Sequence, residues 1–413
     1  MVNKDLSWRE SNLRRRIGIQ VDSLVSLAAE LEHGEDFPND APGKLACIIQ
    51  RSGRLVKNAL ATVQTSQLQH VASAVDLLLK NLRYVERSRM TQVPWSLIQV
   101  TEMYLQQNIG LSHSFIIRPQ WSNNYSIVGD FVAIYKDIFT SLEFIGESVW
   151  LKQALKPPLT VSEKIYCVSF PRWSKMNAPL HAIWGHELGH ILVLKWEDDK
   201  FTELWNERVE EFRTVFLEDL VASKKKNFPP LVRDFFINKI VAQQITDAMD
   251  VAKQGLSELL CDAIGIHLFG PSVLAAEEVF CSSFNLDASP TSRGNYPPWR
   301  MRLRRMLAKI APQVDEAERQ NKKGKKVVLA VSVIESIRKW QEDLSELVQN
   351  KMDQQVIDGN VVENVAYKFI NAVIGEAYSA IVAQMPLKGQ EGYSFSGRFS
   401  VLLGMIIRYD RDL

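Results

Sequence analysis

The segment Ile183 to Leu192, reading Ile-Trp-Gly-His-Glu-Leu-Gly-His-Ile-Leu, constrains this chain more than any other. Apart from His186, Glu187 and His190 it holds no ionisable side chain. So apolar a run reads as a helix buried in a core. An unpaired charge is costly there, so Glu187 calls for a reason. On an α-helix, positions four apart differ by about 40° around the axis. Both imidazoles therefore leave one face, one turn apart. That geometry offers two nitrogen ligands to one zinc ion. Glu187 stands about 100° from His186, close enough to serve a water at the metal without ligating it. The competing reading is a buried helix whose histidines bond to backbone or carboxylate groups.

A catalytic zinc takes three protein ligands and keeps one position open. The other histidines offer little. His181 precedes His186 by five residues and points off the shared face, and His33, His70 and His113 lie in the N-terminal regions. Downstream, residues 255–265 read Gly-Leu-Ser-Glu-Leu-Leu-Cys-Asp-Ala-Ile-Gly. Glu258 and Asp262 are again four apart on one helix, among leucines, Ala263 and Ile264. Two carboxylates in such surroundings need positive partners. A zinc ion for Glu258 and a ligating histidine for Asp262 would supply both. A carboxylate that accepts the ring N–H of a ligating histidine fixes its tautomer and orientation. A solvated acidic face on an otherwise buried helix is the alternative. Cys261 could approach the metal or stand as a buried thiol. His267, about 180° round from Glu258, should face away. Glu197 and Asp198 follow the histidine helix within range of a loop.

The order HExxH, then ExxxD on a later helix, resembles the gluzincin metallopeptidases, the thermolysin-like zincins. The resemblance covers about residues 160–305. It implies a zincin-like core in which His186, His190 and Glu258 ligate zinc, Glu187 is the general base and Asp262 supports His186. It further implies peptide-bond hydrolysis of a protein or peptide substrate. The gap between His190 and Glu258 exceeds that of thermolysin, and helices near 200–221 and 231–253 are expected to fill it. Gluzincins usually stabilise the oxyanion with a downstream His or Tyr. No histidine follows His267, so Tyr296, in a loop before a helix, is the candidate, with Arg300 and Tyr393 behind it. The strand read over 164–170 could bind a substrate backbone if it lies at a sheet edge; otherwise it is internal. Two other classes fit the same residues: a zincin-like scaffold used for binding or regulation, and a helical interaction protein whose motif is coincidental.

The rest of the chain sets the frame. Spacings of three and four predict helices over 17–32, 54–85 and 96–108. Residues 34–43 read as a loop. Runs at 114–118, 125–128 and 164–170 read as strands. From 177 onward helices are expected near 177–195, 200–221, 231–253, 256–269, 272–283, 298–310, 327–350, 361–382 and 397–408. The fold class is therefore mostly α (α+β). The expected divisions are an N-terminal helical region 1–110, a catalytic region 111–315 and a C-terminal helical region 327–413. Four cysteines without CxxC spacing are expected as buried free thiols. No stretch reads as a transmembrane helix and Met1–Leu31 does not read as a signal peptide, so a cytoplasmic protein without membrane partners is expected. With 49 basic against 48 acidic side chains, the run Arg300, Arg302, Arg304, Arg305 and Lys309 gives no general reason to expect nucleic acid.

Overall fold

The computed structural model describes residues 2–94 apart from 35, 113–142 apart from 123, 153–154, 164–222 apart from 176, 230–281, 286, 296–323, a few positions between 334 and 345, and 360–384. The expected helices at 96–108 and 397–408 lie outside them, as does most of 327–350. The chain forms two compact units, Met1–Met176 and Asn177–Leu413. The division falls at 176/177 rather than at 110/111, because the strands share a core with the N-terminal helices. The last described helix, Val361–Gln384, packs on the long helix Pro230–Phe269 of the second unit.

In the first unit, α1 (Val2–Glu32), α2 (Ala41–Ala59) and α3 (Leu68–Glu86) pack together. Ile17, Val21, Leu24, Ala28 and Leu31 form one buried stripe of α1, and Leu68, Val71, Val75, Leu78, Leu82 and Val85 one of α3. These are the three- and four-residue spacings of a helix face. The expected helix over 54–85 is two helices, broken at residues 60–67 around a 3₁₀ turn, Thr65–Gln67. Three strands follow: β1 (His113–Gln120), β2 (Ser126–Val128) and β3 (Lys164–Pro171). Their order is β1-β3-β2, with β1 parallel and β2 antiparallel to β3. β3 is thus the middle strand and not the edge that strand addition requires. Between β2 and β3 lies α4 (Phe131–Ser141), capped by Asp130, whose carboxylate accepts from Val132 N at 2.9 Å. Its run of Phe131, Val132, Ile134, Tyr135, Ile138 and Phe139 reads equally as strand, which hid the helix from periodicity alone.

The second unit opens with a 3₁₀ turn, Ala178–Ile183, that runs into α5 (Trp184–Trp196). A π turn, Glu197–Phe201, leads on to α6 (Thr202–Asn206) and α7 (Val209–Ala222). The two helices expected over 231–253 and 256–269 are one 40-residue helix, α8 (Pro230–Phe269). Gly255 does not break it. A Cβ there would come within 2.9 Å of Ile370, so the glycine serves a close approach. α8 stops where Gly270 turns to φ 66° and its N–H bonds back to Ile266 O at 2.8 Å, a usual glycine termination. α9 (Ser272–Cys281), α10 (Trp299–Lys322) and α11 (Val361–Gln384) complete the unit. α5 and α11 both pack along α8. Phe369 of α11 meets Phe201, Trp205 and Phe212 with ring centroids 5.0–6.3 Å apart. The protein is mostly α with one small sheet. All four cysteines are free and buried. Among the described residues no helix is long and apolar enough to cross a membrane.

Candidate metal centre

Glycines set how closely α5 and α8 approach. A Cβ at Gly189 would stand 2.9 Å from Cys261 Cα, and one at Gly185 would stand 3.1 Å from Gly265 Cα. The two helices touch backbone to backbone there. The same contact brings residues that are 76 positions apart in the chain face to face.

His186 Nε2 lies 3.3 Å from Glu258 Oε2, and His190 Nε2 lies 3.8 Å from Glu258 Oε1. One ligand atom from each of the three residues falls within 4.8 Å of the others. A charge-assisted N–H···O contact is usually about 2.7–2.9 Å. Ligand atoms of a tetrahedral zinc, with bonds of about 2.0–2.2 Å, stand about 3.3–3.6 Å apart. The observed separations match the second figure better than the first. His186 and Glu258 are buried, whereas the His190 side chain is 22% exposed, so the trio opens toward solvent on that side.

The other side of His186 is closed by charge. Its Nδ1 lies 2.7 Å from Asp262 Oδ1. A ring lone pair and a carboxylate oxygen cannot face each other at that distance without a proton between them, so Nδ1–H donates to Asp262 and Nε2 faces Glu258. Arg302 then grips Asp262 through two bonds, Nε to Oδ2 at 2.9 Å and Nη2 to Oδ1 at 2.6 Å. Its Nη1 is 3.5 Å from Glu258, its Nη2 is 3.7 Å from Glu277, and the guanidinium lies over the Trp299 ring at 4.3 Å. His186, Asp262 and Glu277 also cluster closely enough to suggest a cation site. The Arg302 guanidinium already serves that cluster.

Burial and these neighbours set the protonation states. Burial pushes the Asp262 carboxyl up, but the Arg302 charge and hydrogen bonds, with His186, hold it well below the carboxylate range. Burial likewise opposes ionisation of Glu258, and its bond to His186 with the charges of His186 and Arg302 outweighs it. Burial also disfavours a charged His186, yet the bonds to Asp262 and Glu258 hold that imidazole well above its ordinary value. His190 is pushed down to about 4, first by burial and then by His186. Glu187 is raised to about 7, by burial and by the Glu258 and Glu277 carboxylates, against His186. Glu258, Asp262 and Glu277 are buried around the Arg302 guanidinium, and the charges of Arg302 and His186 balance those of Glu258 and Asp262.

Tyr296 lies at the site's electrostatic edge. Its phenol is raised first by burial and then by Glu258 and Glu187. Cys261 stands behind His190, its Sγ 3.2 Å from His190 Nδ1, and burial keeps it a thiol. His267 faces away and meets Tyr378 at 3.3 Å. His181 stacks on Trp184 at 4.8 Å. Glu197 is buried in the π turn, raised to about 7 by burial, and joins no group of ligating side chains among the described residues. Tyr393 lies outside the described residues. The basic run is not uniform: Arg302 is buried and Arg304 exposed, Arg305 donates to Asn371 of α11 at 2.5 Å, and Lys309 lies over Tyr378 at 3.3 Å.

Arg302 and Glu277 are site residues that motif reading misses. Both stand on apolar stripes: Arg302 three after Trp299 and four before Met306, and Glu277 four after Val273 and four before Cys281. A charge on such a stripe is the available signal. No protein-family model, curated protein or solved structure matches the chain.

Proposed function

We propose that this chain is a zinc-dependent peptidase of the gluzincin type, with His186, His190 and Glu258 as metal ligands and a protein or peptide as substrate. One observation carries the reading. A glutamate from α8 stands within 3.3 and 3.8 Å of two imidazole nitrogens from α5, at separations suited to ligands of one ion. The donor set, two neutral nitrogens and one carboxylate with an exposed side, suits a catalytic rather than a closed structural zinc. Zinc, when bound there, would polarise a peptide carbonyl and make a water acidic near neutral pH.

The chain's own residues take the remaining roles. Glu187, raised to about 7, suits a general base working at neutral pH, taking a proton from the attacking water and passing it to the leaving amine. Asp262 holds the His186 proton on Nδ1, and Arg302 holds Asp262. Tyr296 donates a hydrogen bond to the developing oxyanion. Substrate enters from the exposed side of His190.

The test is Glu187→Gln against a mixture of peptides, with metal content measured in parallel. The reading expects about one zinc per chain in both proteins and hydrolysis lowered about 10²–10⁴-fold in the variant. Undiminished hydrolysis in Glu187→Gln removes the mechanism. Zinc without hydrolysis in the parent favours the binding or regulatory scaffold instead.

A further inference from the structure

The two imidazoles of the metal centre are backed by different chemistry. α5 and α8 run antiparallel, with Gly185 opposite Gly265 and Gly189 opposite Cys261. Each turn of α5 therefore meets one turn of α8. Behind His186, Nδ1 faces the carboxylate of Asp262 at 2.7 Å. One turn earlier on α8 stands Glu258, which lies on the Nε2 side of both rings. The group behind His190 is instead the residue beside Asp262: Cys261 Sγ lies 3.2 Å from His190 Nδ1. Cys261 is fully buried, and among the described residues this is the one hydrogen-bonding contact that either atom makes.

A sulfur and a ring nitrogen that close need a proton between them, and it has two possible homes. Either the thiol donates and the ring carries its own proton on Nε2, or Nδ1–H donates to the sulfur and Nε2 is bare. His190 Nε2 is 3.8 Å from Glu258 Oε1, beyond hydrogen-bond reach, so that carboxylate does not hold a proton there. With Nε2 ligating a metal, the ring proton is left to Nδ1 and the sulfur is its acceptor. Sγ stands on the Nδ1 side of the ring, away from the nitrogen that faces Glu258, and Cys261 is no member of the ligand trio.

An imidazole held at one nitrogen can still swing about its Cβ–Cγ bond, a torsion with broad preferences. A contact at the other nitrogen removes that freedom and fixes the tautomer. We propose that Cys261 is the positioning residue of His190: its sulfur accepts the Nδ1–H and turns Nε2 toward the ion, as Asp262 does for His186. The assignment rests on the zinc reading of the trio, since only a ligated Nε2 requires the proton on Nδ1. Sulfur is a weak acceptor and a carboxylate a strong one. His190, on the exposed side, is thus held more loosely than His186, whose carboxylate is itself gripped by Arg302.

The experiment measures zinc affinity of the full chain by competition with a chromophoric chelator, for the parent, Cys261→Ser and Cys261→Ala. A serine hydroxyl still accepts from Nδ1–H, whereas alanine cannot. Losing such an outer partner weakens metal binding about 10–100-fold, so with a weak acceptor about 10-fold is expected for Cys261→Ala and less than about 3-fold for Cys261→Ser. A packing role predicts the reverse order, because serine buries a hydroxyl and alanine only loses volume. The second readout is the ring N–H of each histidine in the nitrogen-labelled, zinc-loaded protein by NMR. His190 should show a slowly exchanging Nδ1–H in the parent and Cys261→Ser that is lost to water exchange in Cys261→Ala, while His186 keeps its own in all three. Undiminished affinity in Cys261→Ala, or tighter binding by the alanine than by the serine variant, overturns the proposal and leaves the zinc reading standing. A parent that binds no zinc overturns the zinc reading and the proposal with it. Should Cys261→Ala not fold, the parent's spectrum decides: a protected His190 Nδ1–H supports the role, and its absence overturns it.

Discussion

Gly189→Ala sets two physical effects against each other. By helix propensity alone, replacing an interior glycine of α5 with alanine stabilises by up to about 1 kcal/mol. By packing, the new Cβ meets Cys261 Cα at 2.9 Å and Cys261 O at 3.2 Å. Those are backbone atoms of a 40-residue helix and cannot swing aside. Reaching ordinary contact at about 3.5–4 Å requires α5 and α8 to part by roughly 0.6–1 Å. Metal-ligand distances tolerate only about 0.2 Å, so the His190–Glu258 separation of 3.8 Å would open beyond what one ion can bridge. Overpacking of this kind costs about 1–3 kcal/mol, which outweighs the propensity gain. Expressed through metal affinity, that is about 5–150-fold weaker zinc binding. The assay is competition with a chromophoric chelator, alongside urea unfolding with and without zinc. Gly189→Ala that binds zinc as tightly as the parent and unfolds no earlier would refute the close-approach argument.

Other expectations follow from the same contacts. Glu258→Ala and His186→Ala should each lose the metal; full zinc occupancy in Glu258→Ala would remove the third-ligand assignment. Arg302→Met leaves Asp262 and Glu277 buried without their cation, so destabilisation of about 3–5 kcal/mol is expected in denaturant unfolding. A loss under 1 kcal/mol would show that the network is not held by charge. In the metal-free protein Glu187 has a folded value near 7 against 4.5. Its contribution to stability is therefore full below pH 4.5 and is lost as pH rises through 7. Metal-free Glu187→Gln should then be the more stable protein above pH 7, by up to about 3 kcal/mol, and equal midpoints at pH 8 would contradict this. Because metal-free His186 is held protonated by Asp262 and Glu258, zinc binding at neutral pH should release a proton. Calorimetry in buffers of different ionisation enthalpy reads that release directly.

Local chemistry explains which parts of this molecule were readable beforehand. The apolar helix around His186 and His190 and the paired carboxylates Glu258 and Asp262 announce themselves, because charge in an apolar run demands a partner. Their approach was suggested by the need of Glu258 and Asp262 for positive partners and by the resemblance, but not by any local pattern. The Gly185 and Gly189 pair that permits it reads as unremarkable until Gly265 and Cys261 are seen opposite. Arg302 was hidden by its company, since four basic neighbours make a buried arginine look like part of a solvated patch. α4 was hidden by its β-branched and aromatic residues, and the continuity of α8 by Gly255, which serves Ile370 rather than a turn. β3 reads as a strand from sequence, but whether it is central or marginal depends on β1 and β2, which local pattern does not encode.

The central claim is tested most directly by diffraction at the zinc edge from crystals of the zinc-loaded protein. The account predicts one strong anomalous peak per chain within about 2.0–2.2 Å of His186 Nε2, His190 Nε2 and a Glu258 oxygen. A peak elsewhere, or none at these three residues in protein shown to contain zinc, would contradict it.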